Sequence, residues 1–352
     1  MSRTLTYAEA LREAQDLCLA TYPEVFLMGL GVPDPRGIFG STLGLQEKYG
    51  PSRVFDIPLS ENAVTGIALG AAITGMRPIL THQRVDFALA AVEQLVNQAA
   101  KWHYMFGGTM CAPMVIRMIV GRGWGQGPQH SQSLQAWFAH IPGLKVVMPT
   151  TPHDAKGLLI AAVEDDNPVI VLEHRWLHNI RDEVPQGMFR VPLGKARIIR
   201  EGSDVTVVGV SYMALEALRA AELLAEAGIS AEVIDLRSIS PFDVQTIIES
   251  VCKTGHLVVT DTGWRSFGVA AEIVATIAEM QFGALKSAPA RVALPDCPTP
   301  TSPSLSAEFY PRSIHIYLAV RRTLGLQTVT DFIESTPDQR LDVPDSHFRG
   351  PF

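Results

Sequence analysis

The sequence predicts an α/β protein of two domains with mostly parallel sheets. Apolar segments of strand length recur between helical patterns, in the order "EVFLMGLG", "RVFDIPL", "MRPILTHQ", "APMVIRMIV", "LKVVMPT" and "NPVIVLEH". Strand, helix and strand at this spacing is typical of a parallel sheet covered by helices on both faces. A second, smaller series runs through "VTVVGVS", "SAEVIDLRS", "HLVVTDTG" and "ARVALPD". A chain of 352 residues also exceeds one typical core.

The domain boundary is predicted in the segment between residues 180 and 200, which contains proline and glycine. We therefore expect one domain over residues 1–190, a second over 191–326, and a tail over 327–352. The tail sequence, "TVTDFIESTPDQRLDVPDSHFRGPF", is polar and contains prolines. Such a composition predicts a loose segment on the surface.

Composition excludes several classes of function. The formal net charge is −7, and no basic run exceeds the pair Arg321–Arg322, so nucleic acid is not an expected partner. The four cysteines are far apart and form no C-x-x-C pair, which predicts neither disulfides nor zinc and favours a reducing cytoplasm. No apolar run reaches the roughly 18 to 20 residues of a membrane span, and the N-terminus has an amphipathic helical pattern rather than that of a signal peptide.

Glu61 is the first candidate for a functional residue. It lies in "DIPLSENAVTG", where an apolar strand is predicted to turn into a helix rich in glycine and alanine. Ser60 is a suitable N-cap, and an acid in the first turn interacts favourably with the helix dipole. A capping acid is usually on a wet surface, however, whereas this helix is apolar enough to predict burial. Capping and a functional role both remain open for Glu61.

Two further segments contain candidate site residues. "THQRVDF" follows a predicted strand, and strand carboxyl ends are where parallel sheets bind ligands; its candidates are His82, Gln83, Arg84 and Phe87. The glycine-rich "GRGWGQGPQHSQ" fits no phosphate-binding motif. We interpret it as a flexible loop that presents His130 and Ser131. An ordinary polar loop and a structural histidine remain the alternatives. His174 and His178 are four apart but have no evident third ligand, so no zinc site is predicted.

In sequence order, several segments together resemble one family. They are "RVFDIPLSENAVTGIALGAA", "NQAAKWHYMFGG", "GPQHSQSLQAWFAHIPGLKVVMP", "DAKGLLIAAVEDDNPVIVLEH", "VIDLRSISPFD" and "GVAAEI". They resemble the β subunits of the first component of thiamine-diphosphate-dependent 2-oxo acid dehydrogenases, in the transketolase superfamily. The resemblance extends to about residue 325. It implies a pyrimidine-binding fold followed by a transketolase C-terminal-like domain.

The resemblance also implies roles for individual residues. Glu61 matches the glutamate that hydrogen-bonds a ring nitrogen of the cofactor's aminopyrimidine and so promotes removal of the thiazolium proton; burial favours such proton sharing. Phe87 matches the aromatic residue that packs on the pyrimidine, and Gln83 falls where these dehydrogenases often have an apolar neighbour of the cofactor. His130 matches the histidine that serves the substrate in proton transfer.

Cofactors and partners follow from the same resemblance. The superfamily holds the cofactor diphosphate through Mg²⁺ with a G-D-G…N motif, and this chain contains no G-D-G. A separate α subunit is therefore expected, in an α2β2 heterotetramer, with residues 88–101 as one interface surface. The segment "AVEDDNPV" resembles a potassium loop, in which Met114, Ala162, Asp165 and Asn167 would supply mainly carbonyl oxygens; a simple turn between helix and strand is the alternative.

Departures from the family pattern bear on the substrate. Leu30 and Gly31 stand where these β subunits usually have acids, and "HQRV" replaces an apolar segment. His82, Arg84, Arg122 and Ser131 are consequently candidates for substrate contacts in a more polar site. Our first hypothesis is a β subunit that decarboxylates a 2-oxo acid and transfers the acyl unit, to a lipoylated acyltransferase in a true dehydrogenase. A split transketolase-like carboligase without a lipoyl partner and a non-catalytic scaffold are the alternatives.

Overall fold

We describe the chain from a computed structural model, which covers residues 2–123, 125–327, 341–345 and 348. The strands are β1 (Ser2–Thr6), β2 (Val25–Gly29), β3 (Val54–Phe55), β4 (Arg77–His82), β5 (Val115–Val120), β6 (Lys145–Val147), β7 (Val169–His174), β8 (Arg181–Pro185), β9 (Arg197–Arg200), β10 (Val205–Gly209), β11 (Ala231–Asp235), β12 (Ser238–Ser240), β13 (Leu257–Trp264) and β14 (Ala290–Leu294). The α-helices are α1 (Tyr7–Thr21), α2 (Leu45–Tyr49), α3 (Glu61–Ile73), α4 (Val85–Ala88), α5 (Ala100–Met105), α6 (Gln135–Ala139), α7 (Pro152–Glu164), α8 (Tyr212–Glu226), α9 (Val244–Thr254), α10 (Val269–Gln281), α11 (Pro303–Ser306) and α12 (Ser313–Thr323).

The chain divides into two units. The first comprises Met1–Val120, Trp137–Gly194 and Ser238–Pro241, and the second comprises Gly121–Ala136, Lys195–Arg237 and Phe242–Phe352. The units divide after Gly194, four residues beyond the boundary expected after residue 190. Each unit also takes one short segment from the other half of the chain, which strand and helix periodicity cannot reveal.

A seven-stranded sheet forms the centre of the first unit, in the order β12-β6-β7-β5-β4-β2-β3. All neighbouring pairs are parallel except β12 with β6. All residues of β2, β5 and β7 are buried, which explains their nearly uninterrupted apolar sequences. A separate antiparallel pair joins β1 to β8. This sheet brings the carboxyl ends of β2 and β4 side by side.

One ion pair lies inside the first unit. Arg117 on β5 donates from Nε to Glu173 Oε1 on β7 at 2.6 Å, and both side chains are fully buried. The same guanidinium donates to Gln15 Oε1 and to Ser41 Oγ, at 2.7 and 2.8 Å. Burial alone would raise the pKa of Glu173, but the charge of Arg117 and the contact with His178 lower it below its ordinary value. The buried charges are thus paired and hydrogen-bonded.

The segment over residues 88–101, predicted as an interface surface, is not one continuous α-helix. It contains a 3-10 turn at Leu89–Ala91 and a π-helical stretch at Gln94–Ala99 before α5 begins. Leu95 and Ala99 are buried within the chain itself, whereas Ala90, Glu93 and Asn97 are exposed. Its exposed positions are therefore not a continuous apolar surface.

The second unit contains a five-stranded sheet in the order β14-β13-β10-β11-β9. Its strands are parallel except β9, which runs antiparallel to β11. On α8, Glu216 is buried and receives hydrogen bonds from Arg312 and Arg219 at 3.1 and 2.5 Å. Across the described residues of both units, no helix is long and apolar enough to cross a membrane.

The tail differs in part from the loose segment expected over residues 327–352. Residues 328–340, 346–347 and 349–352 lie outside the described residues, but residues 341–345 pack against the second unit. Asp342 is 2 % exposed, and Val343 and Phe348 are each 9 % exposed. For these positions the expectation of a loose tail is wrong, because buried side chains anchor them.

Candidate active site

A cavity lies in the first unit where β2 and β4 end and α3 begins. It is lined by Leu30, Ile57, Pro58, Leu59, Glu61, Thr81, His82, Gln83 and Phe87. Because β2 and β4 are parallel neighbours, Leu30 after β2 and the residues at the end of β4, Thr81 and His82, lie at the same edge of the sheet. Four of the residues proposed from sequence, Glu61, His82, Gln83 and Phe87, therefore share one cavity.

Glu61 is the first residue of α3 and is half-buried. Its carboxylate forms no hydrogen bond or ion pair with any residue that the structure describes. Ser60 occupies the N-cap position, but its side chain does not form the capping hydrogen bond expected from the sequence. The expected burial of this helix is also wrong in part: Ile67 is 63 % exposed. Capping and burial therefore do not account for the glutamate.

His82 presents a neutral hydrogen-bond acceptor. Thr65 Oγ donates its single hydrogen to the Glu61 carbonyl oxygen at 2.7 Å, so it can only accept from His82 Nε2, which lies 3.3 Å away. Nε2 then carries the ring hydrogen and Nδ1 is the acceptor, with no partner among the described residues. Burial lowers the pKa of His82 to about 4, so the ring is neutral near pH 7.

Gln83 is held by the loop after β2. Its Nε2 donates to the Leu30 carbonyl oxygen at 3.0 Å. Gly31 has φ +74°, and a Cβ there would lie 2.8 Å from that same nitrogen. A side chain at position 31 would therefore collide with Gln83, and the positive φ would also be unfavourable for any residue but glycine.

Asp56 connects the two loops of the cavity. Its Oδ1 accepts from the backbone N–H of Gly31 and from that of Ile57, each at 2.9 Å. Sequence reasoning singled out neither Asp56 nor Thr65 for a role. The acid at the end of β3 was a signal for Asp56, but nothing local pointed to the partners of Thr65.

The remaining substrate candidates are not among the residues that line the cavity. His130 and Ser131 belong to the second unit, where His130 is exposed and Ser131 is 3 % exposed, with its hydroxyl donating to the Gln126 carbonyl at 3.3 Å. Arg84 is 3 % exposed and does not line the cavity. Arg122 is 1 % exposed and its Nη2 donates to Asp342 Oδ2 at 2.6 Å. The guanidinium of Arg122 is thus enclosed and paired within the chain, which disfavours a substrate contact.

The predicted potassium loop already binds cationic side chains. Arg77 Nη1 donates to the Val163 and Asp165 carbonyl oxygens at 2.9 and 3.0 Å, and Lys145 pairs with the Asp165 carboxylate. The Asp165 carboxylate also accepts from the Asn167 N–H at 2.9 Å. Met114 and Ala162 are each 1 % exposed, and the Met114 carbonyl accepts from Val169 N–H at 3.0 Å. These contacts disfavour a further cation at this loop.

Comparison with known proteins decides the family. Residues 3–179 match the pyrimidine-binding domain of transketolase, and residues 194–316 match the transketolase C-terminal domain. The β subunit of acetoin:2,6-dichlorophenolindophenol oxidoreductase from Cupriavidus necator is 44 % identical over 92 % of this chain and 98 % of that protein. The chain belongs to the E1 β subunits of the transketolase superfamily.

Other E1 β subunits agree with this assignment. Subunit beta-1 of the mitochondrial pyruvate dehydrogenase E1 component from Arabidopsis thaliana is 43 % identical, over 91 % of this chain and 90 % of that protein. The Bos taurus β subunit is 41 % identical, over 92 % and 91 %. A split-gene transketolase, solved as an inactive beta4 tetramer, shares the fold with a TM-score of 0.75 at 22 % identity, covering 92 % of this chain and 100 % of that one.

E1 β subunits are thiamine-diphosphate enzymes, and the cavity suits the pyrimidine end of that cofactor. A flat heteroaromatic ring with N–H donors requires acceptors and an aromatic surface. The cavity offers the Glu61 carboxylate and His82 Nδ1, both without a described partner, beside the ring of Phe87. The residues present therefore fit the group.

Proposed function

We propose that this E1 β-type chain is one half of a heteromeric enzyme that decarboxylates a 2-oxo acid and transfers the resulting acyl unit. The observation that carries the proposal is the Glu61 carboxylate, which lies in the cavity beside Phe87 with no described partner. A carboxylate left without an intramolecular partner in a half-buried position is consistent with a role towards a ligand. Thiamine diphosphate supplies the nucleophilic carbon and the electron sink for decarboxylation.

Under this proposal each residue has a defined role. Glu61 exchanges a proton with a ring nitrogen of the cofactor, and Phe87 supports the ring by stacking. His82 and Gln83 supply polar contacts, and Asp56 keeps the two loops of the cavity together. His130 moves a proton to or from the substrate oxygen.

A second chain is part of the proposal. No G-D-G motif occurs in this sequence, so the diphosphate and its Mg²⁺ are assigned to a separate α subunit in an α2β2 assembly. Next to Glu61, Leu59 is 74 % exposed and Ile67 on α3 is 63 % exposed. Exposed apolar side chains, of which Leu59 also lines the cavity, favour coverage by a partner chain. The separated cysteines support a reducing, cytoplasmic location.

The test replaces Glu61 in the enzyme reconstituted with its α subunit. Glu61→Gln keeps the size and removes the carboxylate, so we expect kcat for 2-oxo acid decarboxylation to fall by about 10²–10⁴-fold. Ser60→Ala is the matched control, since Ser60 is exposed and makes no capping bond. It should retain the wild-type rate. Full activity of Glu61→Gln would overturn the proposal.

The polar groups of the cavity favour one alternative, a carboligase that passes the unit to an aldehyde or sugar without a lipoyl partner. His82 and Gln83 line the cavity in positions where an apolar wall would suit a small apolar acyl group. Product formation from an aldehyde acceptor, with no rate increase on adding a lipoylated acyltransferase, would select the carboligase. The reverse result would select the dehydrogenase, and failure to bind cofactor with the α subunit present would select the scaffold.

A further inference from the structure

The anchored part of the tail, residues 341–345, lies beyond the transketolase C-terminal match, which ends at residue 316. Two buried arginines of the second unit hold it. To the described tail residues, Arg312 donates through backbone carbonyls: from Nη1 to Leu341 and Val343 at 3.0 and 2.7 Å, and from Nη2 to Pro344 at 3.0 Å. These bonds fix the path of the tail and are independent of its side chains.

The second arginine, Arg122, recognises a tail side chain. Its Nη2 donates to Asp342 Oδ2 at 2.6 Å, and the two side chains are 0 % and 3 % exposed. Ser306 Oγ donates to the same carboxylate oxygen at 3.1 Å. Arg122 Nη1 donates to the Pro300 carbonyl at 3.0 Å, and its guanidinium lies over the Tyr310 ring, 5.2 Å from the centroid. Asp342 is the one carboxylate that pairs with Arg122 among the described residues.

Arg122 is also the second residue of the loop that contains His130. At the base of this loop the Gly121 N–H donates to the Gln132 carbonyl at 3.1 Å. Within the loop, the Gly123 N–H donates to Gln126 Oε1 at 2.9 Å, and the His130 N–H donates to the Gly127 carbonyl at 3.2 Å. The loop is therefore closed on itself, and the buried guanidinium of Arg122 attaches it to the body of the second unit.

We propose that Asp342 is a positioning residue for His130, acting through Arg122. The carboxylate neutralises and orients a guanidinium whose backbone belongs to the base of the loop. Without it, a buried charge has only neutral acceptors and must move towards water, which displaces Gly121 and Arg122 and with them the loop. The catalytic part of this inference rests on the function proposed above for His130; the link between tail and loop does not.

The experiment uses the assembled enzyme with thiamine diphosphate bound. Asp342→Asn removes the charge and keeps the shape, Asp342→Glu restores a carboxylate, and Glu308→Gln is the control at an exposed acidic position of the same unit. Amide hydrogen exchange is measured in peptides covering residues 121–132 and in peptides of α8. Steady-state kinetics with the 2-oxo acid and cofactor titrations accompany it.

We expect Asp342→Asn to speed exchange in the loop by 10-fold or more, with α8 unchanged. We also expect it to lower kcat by at least 10-fold, while the Kd of thiamine diphosphate changes less than twofold. Asp342→Glu should recover part of both losses, and Glu308→Gln should match the wild type. Unchanged loop exchange in Asp342→Asn, or equal acceleration in the loop and α8, would overturn the proposal.

Two further results separate this proposal from the function on which it partly rests. If the wild-type enzyme decarboxylates no 2-oxo acid, the function fails while loop exchange still decides the link between tail and loop. If Asp342→Asn does not assemble, Asp342→Glu displaces the carboxylate by one methylene and is read by the same exchange measurement. Faster loop exchange with α8 unchanged would support the link, and unchanged loop exchange would overturn it.

Discussion

His82 allows the two functions of an imidazole to be separated. Asparagine at position 82 places an amide group near the position of Nδ1, whereas glutamine places one near Nε2, which donates to Thr65 Oγ. His82→Asn therefore keeps an acceptor for the ligand, and His82→Gln keeps the contact with Thr65 but loses that acceptor. One neutral hydrogen bond contributes about 0.5–1.5 kcal/mol, so His82→Gln should weaken cofactor binding by roughly 2- to 13-fold.

The pKa of His82 adds a second, independent measurement. Because burial lowers that pKa to about 4, the unfolded chain binds a proton at this residue below about pH 6.5 while the folded chain does not. Protonation of His82 in the unfolded chain therefore lowers the free energy of unfolding as the pH falls from about 6.5 towards 4, and has no effect above pH 6.5. Each pH unit in this interval is about 1.4 kcal/mol, which makes the loss about 2 kcal/mol at pH 5.

Both effects can be read in the reconstituted enzyme and in the chain. Thiamine diphosphate titrations at pH 7.5 compare wild type with His82→Asn and His82→Gln. Urea unfolding at pH 7.5 and pH 5 then gives the acid-induced loss of stability, which should be about 2 kcal/mol smaller for His82→Asn than for wild type. Equal cofactor affinities for the two variants would refute the acceptor role, and equal acid sensitivity of wild type and variant would refute the neutral buried ring.

Three other predictions follow from contacts in the first unit. Glu173→Gln leaves the buried charge of Arg117 without its carboxylate and should lower the free energy of unfolding by about 3–5 kcal/mol in urea titrations. The control Glu164→Gln, whose partner Arg190 is 47 % exposed, should lower it by about 0–1 kcal/mol. Equal losses in the two variants would contradict the argument. Gly31→Ala should weaken cofactor binding more than Gly40→Ala. Both glycines have positive φ, but a Cβ at position 31 would meet Gln83 Nε2, whereas one at position 40 would meet nothing within 4 Å. Adding Gln83→Ala to Gly31→Ala should relieve part of the loss. Arg77→Gln frees the carbonyl oxygens of Val163 and Asp165, so exchanging NaCl for KCl should raise the thermal unfolding temperature more in this variant than in wild type. An equal rise in wild type would show that the guanidinium does not take the place of the ion.

The periodicity of the sequence was sufficient to predict the architecture. Two α/β units with mostly parallel sheets are confirmed, because strands buried on both faces have nearly continuous apolar sequences that helical segments interrupt. The candidates Glu61, His82, Gln83 and Phe87 came from separate segments, which only the family resemblance joined. In the structure Glu61 begins α3, His82 ends β4, and Gln83 and Phe87 follow it, beside the end of β2.

Long-range pairing was the part that local patterns could not supply. Arg122 was interpreted as a substrate contact because it stands in a glycine-rich loop, but its carboxylate partner is 220 positions away in a tail that composition marked as loose. Arg77 similarly reaches Val163 and Asp165 from the start of another strand. A basic side chain near a loop looks the same in sequence whether it faces a ligand or an internal acceptor.

The unusual residues around the cavity are better understood as one coupled change than as separate substitutions. Gln83 needs the Leu30 carbonyl as an acceptor, and its amide nitrogen lies so close to position 31 that a side chain there would collide with it. Glycine at 31 in turn permits a positive φ, and its N–H is fixed by Asp56. A single exchange towards the family pattern, an acid at 31 or an apolar residue at 83, would therefore leave either a steric conflict or a polar group without its partner. A change in ligand preference at this cavity should require positions 31 and 83 to be altered together, and the double variant should bind better than either single variant predicts.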